Sequence, residues 1–202
     1  MPLKTRLFYL VIAWLPAGLV YISTSFVTGK IWIVPESYPD QLVPFSPSGI
    51  WLYLLFYVYI PYTFLTASKS KIKILSAAFI LCTCISGIIF VLLPSSIRFP
   101  NFEINGISSW CLGFVSEHDT KQNCFPSLHG SLITLCTITN WNKAKKVKSY
   151  ACILLTMLMY YSILQVRRHV FIDLAAGIVL ALFTWQVCRS ILQKRREVAE
   201  NF

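Results

Sequence analysis

Ile74-Leu75-Ser76-Ala77-Ala78-Phe79-Ile80-Leu81-Cys82-Thr83-Cys84-Ile85-Ser86-Gly87-Ile88-Ile89-Phe90-Val91-Leu92-Leu93 runs for twenty residues without a charge. A helix of about 20 residues covers roughly 30 Å, the thickness of a bilayer's hydrocarbon layer. Backbone groups in lipid have no water to pair with, so such a run is read as a helix that satisfies its own hydrogen bonds. Lysines 69, 71 and 73 precede it, and Pro94 ends it.

Working outward, apolar runs of the same kind cover Leu7–Phe26, Gly49–Ala67, Pro126–Asn140, Tyr150–Leu164 and Val170–Ile191. The expectation is an all-α, polytopic membrane protein: a six-transmembrane-helix bundle forming one integral domain over 1–202, with a basic tail at 192–202. Composition agrees. Hydrophobic residues make up 56% of the chain and charged residues 13%, with a mean hydropathy of +0.63, where a soluble domain carries about a quarter charged residues. The fourth and fifth runs are short and are expected to extend into their polar flanks or to be sheltered by neighbours. Thr134, Thr137 and Thr139 on the fourth are expected to hydrogen-bond between helices. The first run follows a basic start, as a signal peptide does, but it is long for one and lacks a small-x-small cleavage site; a retained helix is expected.

The net charge is +10. Six crossings put both termini on one side. That side holds every basic residue except Lys30, Arg98, Lys121, Arg167 and Arg168. The positive-inside rule makes it cytoplasmic. The lysine clusters therefore read as topology determinants, and no nucleic-acid partner is expected. Trp32, Trp51 and Trp110 fall at run ends, as interfacial aromatic belts do. No Asn-x-Ser/Thr acceptor exists.

The basic exceptions share the opposite side with the candidate chemistry. Arg98 follows the third run. Ser127 and His129 open the fourth. Arg167, Arg168, His169 and Asp173 lie where the fifth run meets the sixth. Ionisable groups at such depth are costly unless used or paired. His169 and Asp173 stand at i, i+4, the spacing that shares one helix face. A carboxylate there can hold the imidazole Nδ1–H and leave Nε2 as a nucleophile or base. Pro126 suits a first helical turn, which puts Ser127 at a helix N-terminus favourable to phosphate. His129 follows as a proton donor, and the arginines suit forked binding of phosphate oxygens. Glu117-His118-Asp119 reads as a solvated loop. Five of the seven cysteines lie in apolar runs; Cys111 and Cys124 share a loop, as a disulfide or as free thiols. No Cys-x-x-Cys pair or histidine cluster suggests zinc.

Together these segments resemble the type 2 phosphatidic acid phosphatase superfamily of lipid phosphatases and transferases, over about 40–185. Cys124-Phe125-Pro126-Ser127-Leu128-His129 resembles its second motif, in the style of inositol phosphorylceramide and sphingomyelin synthases. Arg168-His169-Val170-Phe171-Ile172-Asp173, followed by Leu174-Ala175-Ala176-Gly177, resembles its third motif. Arg98 between Pro94 and Pro100 resembles a reduced first motif, and Val43-Pro44-Phe45-Ser46-Pro47 resembles the approach to the second helix in the synthase-like branch. The resemblance implies that His169 attacks phosphorus, Asp173 orients it, and His129 protonates the leaving oxygen. Arg98, Ser127 and backbone N–H groups would hold the phosphate, with no metal or cofactor. The family's lysine seven positions before the first-motif arginine is Val91 here, and its Ser-Arg pair is Ser162-Ile163; Arg167 or Arg168 would substitute. The expected activity is a lipid phosphate or diphosphate phosphatase. A headgroup transferase is the alternative with the same site, and a non-catalytic lipid-binding scaffold the second. The partners implied are a lipid phosphate and the bilayer.

Overall fold

Apolar runs bounded by polar caps become helices here, and the caps are visible at several ends. The structure is a computed structural model describing residues 1–24, 26, 27 and 29–200, the side chains of Arg196, Ala199 and Glu200 excepted. Arg196 of the basic tail and residues 201–202 therefore contribute no side-chain description. Helix α1 is Leu3–Thr24 and a short strand β1 is Trp32–Ile33. Helix α2 is Tyr38–Leu42, followed by a 3-10 turn at Pro47–Gly49, α3 at Ile50–Leu54 and α4 at Phe56–Thr66. Helix α5, Lys69–Leu92, starts at Ser68, whose Oγ accepts from the Lys71 N–H. Strand β2 at Ser95–Ser96 pairs in parallel with β1. Then come α6 at Ile107–His118, α7 at Leu128–Asn140, α8 at Lys146–Gln165 and α9 at Phe171–Glu200.

Five helical segments among the described residues are long and apolar enough to cross a membrane: Leu3–Thr24, Pro47–Thr66, Lys69–Leu92, Lys146–Gln165 and Phe171–Arg195. The sequence reading expected six. The exception is the fourth run, where α7 has only 13 residues, about 20 Å of helix against a layer of about 30 Å. The physical reason is its place. α7 packs against α4, α5, α8 and α9, and every residue from Leu128 to Cys136 is buried. A helix enclosed by protein need not match the length of its neighbours. Its polar groups pair across the bundle: Thr134 Oγ1 with Tyr160 OH at 2.6 Å, Thr137 Oγ1 with Thr156 Oγ1 at 2.5 Å, and Asn140 Nδ2 donating to Thr63 Oγ1 at 2.8 Å. Thr139 departs from expectation, bonding back to Leu135 O within α7.

The main core joins residues of α1 and α3–α9, with Phe64, Phe79, Leu75 and Ile133 fully enclosed. Large apolar side chains such as Leu15, Leu19, Val58, Ile88, Leu154 and Phe183 remain exposed on the outer faces. That distribution is compatible with a lipid surround. Contacts define two ends. At one, Arg6 donates to Phe64 O and Ala67 O, and Lys71 Nζ to Thr139 O and Trp141 O. The start of α1, end of α4, start of α5 and end of α7 therefore meet. At the other lie the β1–β2 pair, the loop 119–127 and the turn between α8 and α9.

Candidate active site

The turn from α8 into α9 sets the position of His169. Helix α8 ends in a Schellman motif: Arg167 N–H donates to Leu164 O at 3.1 Å and Arg168 N–H to Ile163 O at 3.2 Å. This motif needs a left-handed residue, ordinarily glycine. Here Arg167 takes it, at φ 51°, and its guanidinium donates to Leu164 O, Asp40 O and Val43 O. Arg167 was expected to hold phosphate. Three of its five donors instead tie α8 to the α2 segment, while the residue also lines the cleft beside Arg168.

His169 and Asp173 do not share a helix face, since α9 begins only at Phe171. Val170 is the N-cap, and Asp173 reaches back as in a capping box: its Oδ1 accepts the Val170 N–H at 3.1 Å. Its Oδ2 lies 3.2 Å from His169 Nδ1. The expected pair forms, through a cap rather than through helical periodicity. Asp40, fully buried, fixes the same turn from outside: its Oδ1 accepts the Phe171 N–H at 2.7 Å, and its Oδ2 accepts from Ser37 N and Oγ.

The second histidine comes from α7. Ser127 is the N-cap, its Oγ accepting from Gly130 N–H at 3.1 Å. Pro126 therefore precedes the helix rather than opening its first turn. The Ser127 N–H donates to Asp173 O at 2.9 Å, which is why it is not among the amides left to meet an anion. The N–H groups of Leu128 and His129, at the first two helical positions, keep no intrahelical acceptor. His129 Nδ1 lies 3.4 Å from His169 Nε2, and His129 Nε2 lies 3.0 Å from Tyr53 OH. One assignment of protons satisfies the whole chain. The Tyr53 hydroxyl donates to His129 Nε2, His129 Nδ1–H to His169 Nε2, and His169 Nδ1–H to Asp173.

Beside the imidazoles sits a buried ion pair. Arg168 is 5% exposed and donates from a terminal nitrogen to Asp119 Oδ2 at 2.5 Å. Its guanidinium stacks over Phe99 at 5.1 Å, and its Nε has no hydrogen-bond partner. Tyr21 OH donates to the other Asp119 oxygen at 2.7 Å. Burial pushes the Asp119 carboxyl up, but Arg168, His129 and the Tyr21 hydroxyl outweigh it and hold the group below its ordinary range. Asp119 was expected in a solvated loop. Glu117 and His118 are exposed, whereas Asp119 turns inward where α6 ends. Arg98 is exposed, and among the described residues no hydrogen bond ties it to this cluster. Cys111 and Cys124 are free thiols; burial, with Asp173 nearby, pushes Cys124 up to about 12. Among the described residues no group of three or more His, Cys, Asp or Glu could hold a metal ion.

Thus His129, His169, Asp173 and Arg168 come together, with Ser127 shaping the site through its cap. Tyr53, Tyr21, Asp119 and Asp40 were not anticipated. The Ser37-x-x-Asp40 spacing carried a capping signal for Asp40; the other three had no local one. Three cavities reach the cluster. One, of about 520 Å³, has a mixed lining that includes Arg167, Arg168, Lys121, Glu117, Phe99 and Phe102. A second, of about 140 Å³, includes His129, Asp119, Tyr21 and Trp14, and a third, of about 510 Å³, reaches Asp119 and Tyr21 past Trp110 and Phe114 but not His129. Compared with protein-family models, curated proteins and solved structures, the chain matches none.

Proposed function

We propose that the protein is a membrane phosphoester hydrolase, acting on a lipid phosphate or diphosphate in the manner of the type 2 phosphatidic acid phosphatases. The observation that carries this reading is the linked His129–His169–Asp173 chain beside a buried arginine whose Nε lacks a partner. His169 Nε2 attacks phosphorus, forming an N–P bond while the ester P–O bond breaks. In the reacting complex His129 carries a second proton, taken from the monoanionic phosphoester, and its Nε2–H donates to Tyr53. The electron pair stays with the leaving oxygen, which takes the Nδ1 proton and leaves a neutral ring. Water then attacks the phosphohistidine, gives a proton back to His129 and releases phosphate. Asp173 holds the His169 Nδ1–H and offsets the charge the ring acquires. Arg168 and the amides at the start of α7 meet the phosphoryl oxygens. The 3.4 Å His129–His169 contact is a resting arrangement. Reacting atoms sit about 3–3.5 Å apart before attack, so phosphorus enters between the rings, and the His129 proton then faces the leaving oxygen. Tyr53 suits either form of His129, donating to a bare Nε2 or accepting from a protonated one.

The same reading makes α7 a sixth, sheltered crossing. Non-helical backbone at membrane depth is tolerated where it lies within protein or lines a polar cavity, and the loop 119–127 does the latter. Six crossings and the lysine asymmetry support cytoplasmic termini, with the site on the other face. An impermeant thiol reagent should then label a Glu117→Cys variant in sealed cells or vesicles and spare Lys146→Cys; the reverse pattern overturns the orientation.

The activity test uses purified protein in detergent with phosphatidate, a polyprenyl diphosphate, or a phospholipid plus a lipid alcohol. Free phosphate from either of the first two, lost in His169→Ala, is the expected result. Undiminished release by His169→Ala overturns the mechanism. A new headgroup-bearing lipid from the third mixture assigns a transferase instead, and no turnover in any mixture leaves a lipid-binding scaffold.

A further inference from the structure

We propose that a groove between α1 and α4 seats the hydrocarbon chain of the lipid phosphate and brings its ester oxygen to His129 from the side of the bundle; this rests on the phosphoester-cleaving reading above. The groove is the smallest of the three cavities and, unlike the other two, includes His129. Trp14, Gly18 and Tyr21 of α1 form one wall, Phe56 and Tyr57 of α4 the other, and His129 with Asp119, itself paired to Arg168 and Tyr21, closes the inner end. The Trp14 and Tyr57 rings stack across it, with centroids 6.4 Å apart and planes 22° from parallel. Outward, it continues over the α1 face bearing Leu15 and Leu19, each 59% exposed. α1 is also the least buried of the five membrane-length segments. A Cβ at Gly18 meets nothing within 4 Å, so this position forms a notch in the wall.

The occupant follows from how the two approaches differ. The α1–α4 approach is walled by aromatic rings and ends at the proposed acid, His129. The cleft at Arg168 has a mixed lining, but it alone of the three cavities is lined by cations, Lys121, Arg167 and Arg168. A lipid phosphate is apolar on one side of its ester bond and anionic on the other. Laid across the site, its chain lies in the groove and its phosphoryl group faces Arg168. The leaving group is then the lipid alcohol: as the N–P bond forms, the P–O bond breaks toward the groove, and its oxygen takes the His129 proton there. Water reaches the phosphohistidine through the cleft at Arg168.

The test compares a long-chain phosphatidate with a small, water-soluble aryl phosphate. Gly18→Trp fills the notch and should raise KM for phosphatidate about tenfold, equivalent to losing roughly two buried methylenes, while shifting the aryl phosphate by less than about twofold. Ala151→Trp, on the exposed apolar cleft between α4 and α8, should change neither. A phosphatidate analogue with a photoreactive diazirine in its chain should label Trp14 or Tyr57 in the unaltered protein, a readout independent of how Gly18→Trp folds. Equal effects of Gly18→Trp on both substrates overturn the groove, as does label spread evenly over α8 and α9. Labelling of Trp14 and Tyr57 that appears only when the protein is diluted to monomers assigns the groove to a second copy instead. If His169→Ala abolishes both activities while Gly18→Trp alters neither, the groove falls and the histidine chemistry stands. If the unaltered protein cleaves neither phosphate, both fall.

Discussion

Gly177 of α9 lies so close to Ser127, the N-cap of α7, that a Cβ at position 177 would run into the Ser127 carbonyl oxygen. Ser131 Oγ bridges the same crossing, donating to Ser127 O at 2.8 Å and Gly177 O at 2.9 Å. Gly130 faces Leu174 across the interface with equally little room. His129 stands in the first turn of α7 and His169 two residues before α9, so the spacing of this contact sets theirs.

Gly177→Ala should therefore push the starts of α7 and α9 apart. Misplacement of reacting groups by about 1 Å costs on the order of 100-fold in rate. We expect a loss of kcat on that scale with the helical content retained, as checked by circular dichroism alongside turnover. Full activity in Gly177→Ala would show that the crossing does not position the histidines.

Asp173 both caps α9 and holds His169. Asparagine keeps an oxygen for the Val170 N–H but presents an amide that favours the wrong imidazole tautomer. Asp173→Asn should lower kcat by roughly 10³–10⁴-fold, the scale found for the buried carboxylate of a serine-protease triad, with a small change in thermal stability. Turnover and thermal unfolding, measured on one preparation, separate the two roles.

Tyr53 touches His129 and not His169. Tyr53→Phe keeps the ring and removes one hydrogen bond, worth about 1 kcal/mol, so we expect about a fivefold fall in kcat with KM little changed. If chemistry is unaffected and stability alone falls, Tyr53 is a packing residue only.

Arg167 and Arg168 should behave oppositely. Arg167→Met removes donors from three carbonyl groups, each such bond to a charged group being worth about 1.5–3 kcal/mol. It should lower Tm and leave the activity of the folded fraction nearly unchanged. Arg168→Met should abolish phosphate release, and with its partner Asp119 replaced by Asn in the same chain it should not regain it. Active-fraction titration of both variants decides.

The Asp119 carboxyl is held below its ordinary pKa by Arg168, His129 and Tyr21 against the cost of burial. A depressed carboxylate contributes stability that is fully present above its unfolded value of about 3.9 and fades as pH falls through the lower folded value. The Tm gap between the parent and Asp119→Asn should be constant from pH 7 to about 5 and shrink below about 4. A gap that widens on acidification would contradict the ion pair.

Local pattern reveals part of this architecture in physical terms. Twenty uncharged residues at 74–93 admit a helix whatever packs around them, and α5 indeed covers them. The polar flank 146–149 joins α8 as expected, since the chain continues its hydrogen bonding until a cap stops it. The partnership of His169 with Asp173 was legible from spacing, although its cause is a cap at Val170 and not a helical face. The fourth run was misjudged for length, because hydropathy measures a helix against lipid and α7 is solvated by other helices.

What the sequence by itself determined is the set of apolar helices, their order, and which titratable residues stand at their ends. Those properties depend on neighbours within a few residues. Only the tertiary structure decided that three Arg167 donors go to carbonyl groups while Arg168 pairs with Asp119, that Asp119 turns in toward Tyr21, and that Tyr53 meets His129 across 76 positions. Such contacts join elements distant in the chain, and their formation depends on crossings, above all the α7–α9 contact at Gly177, that no local spacing encodes.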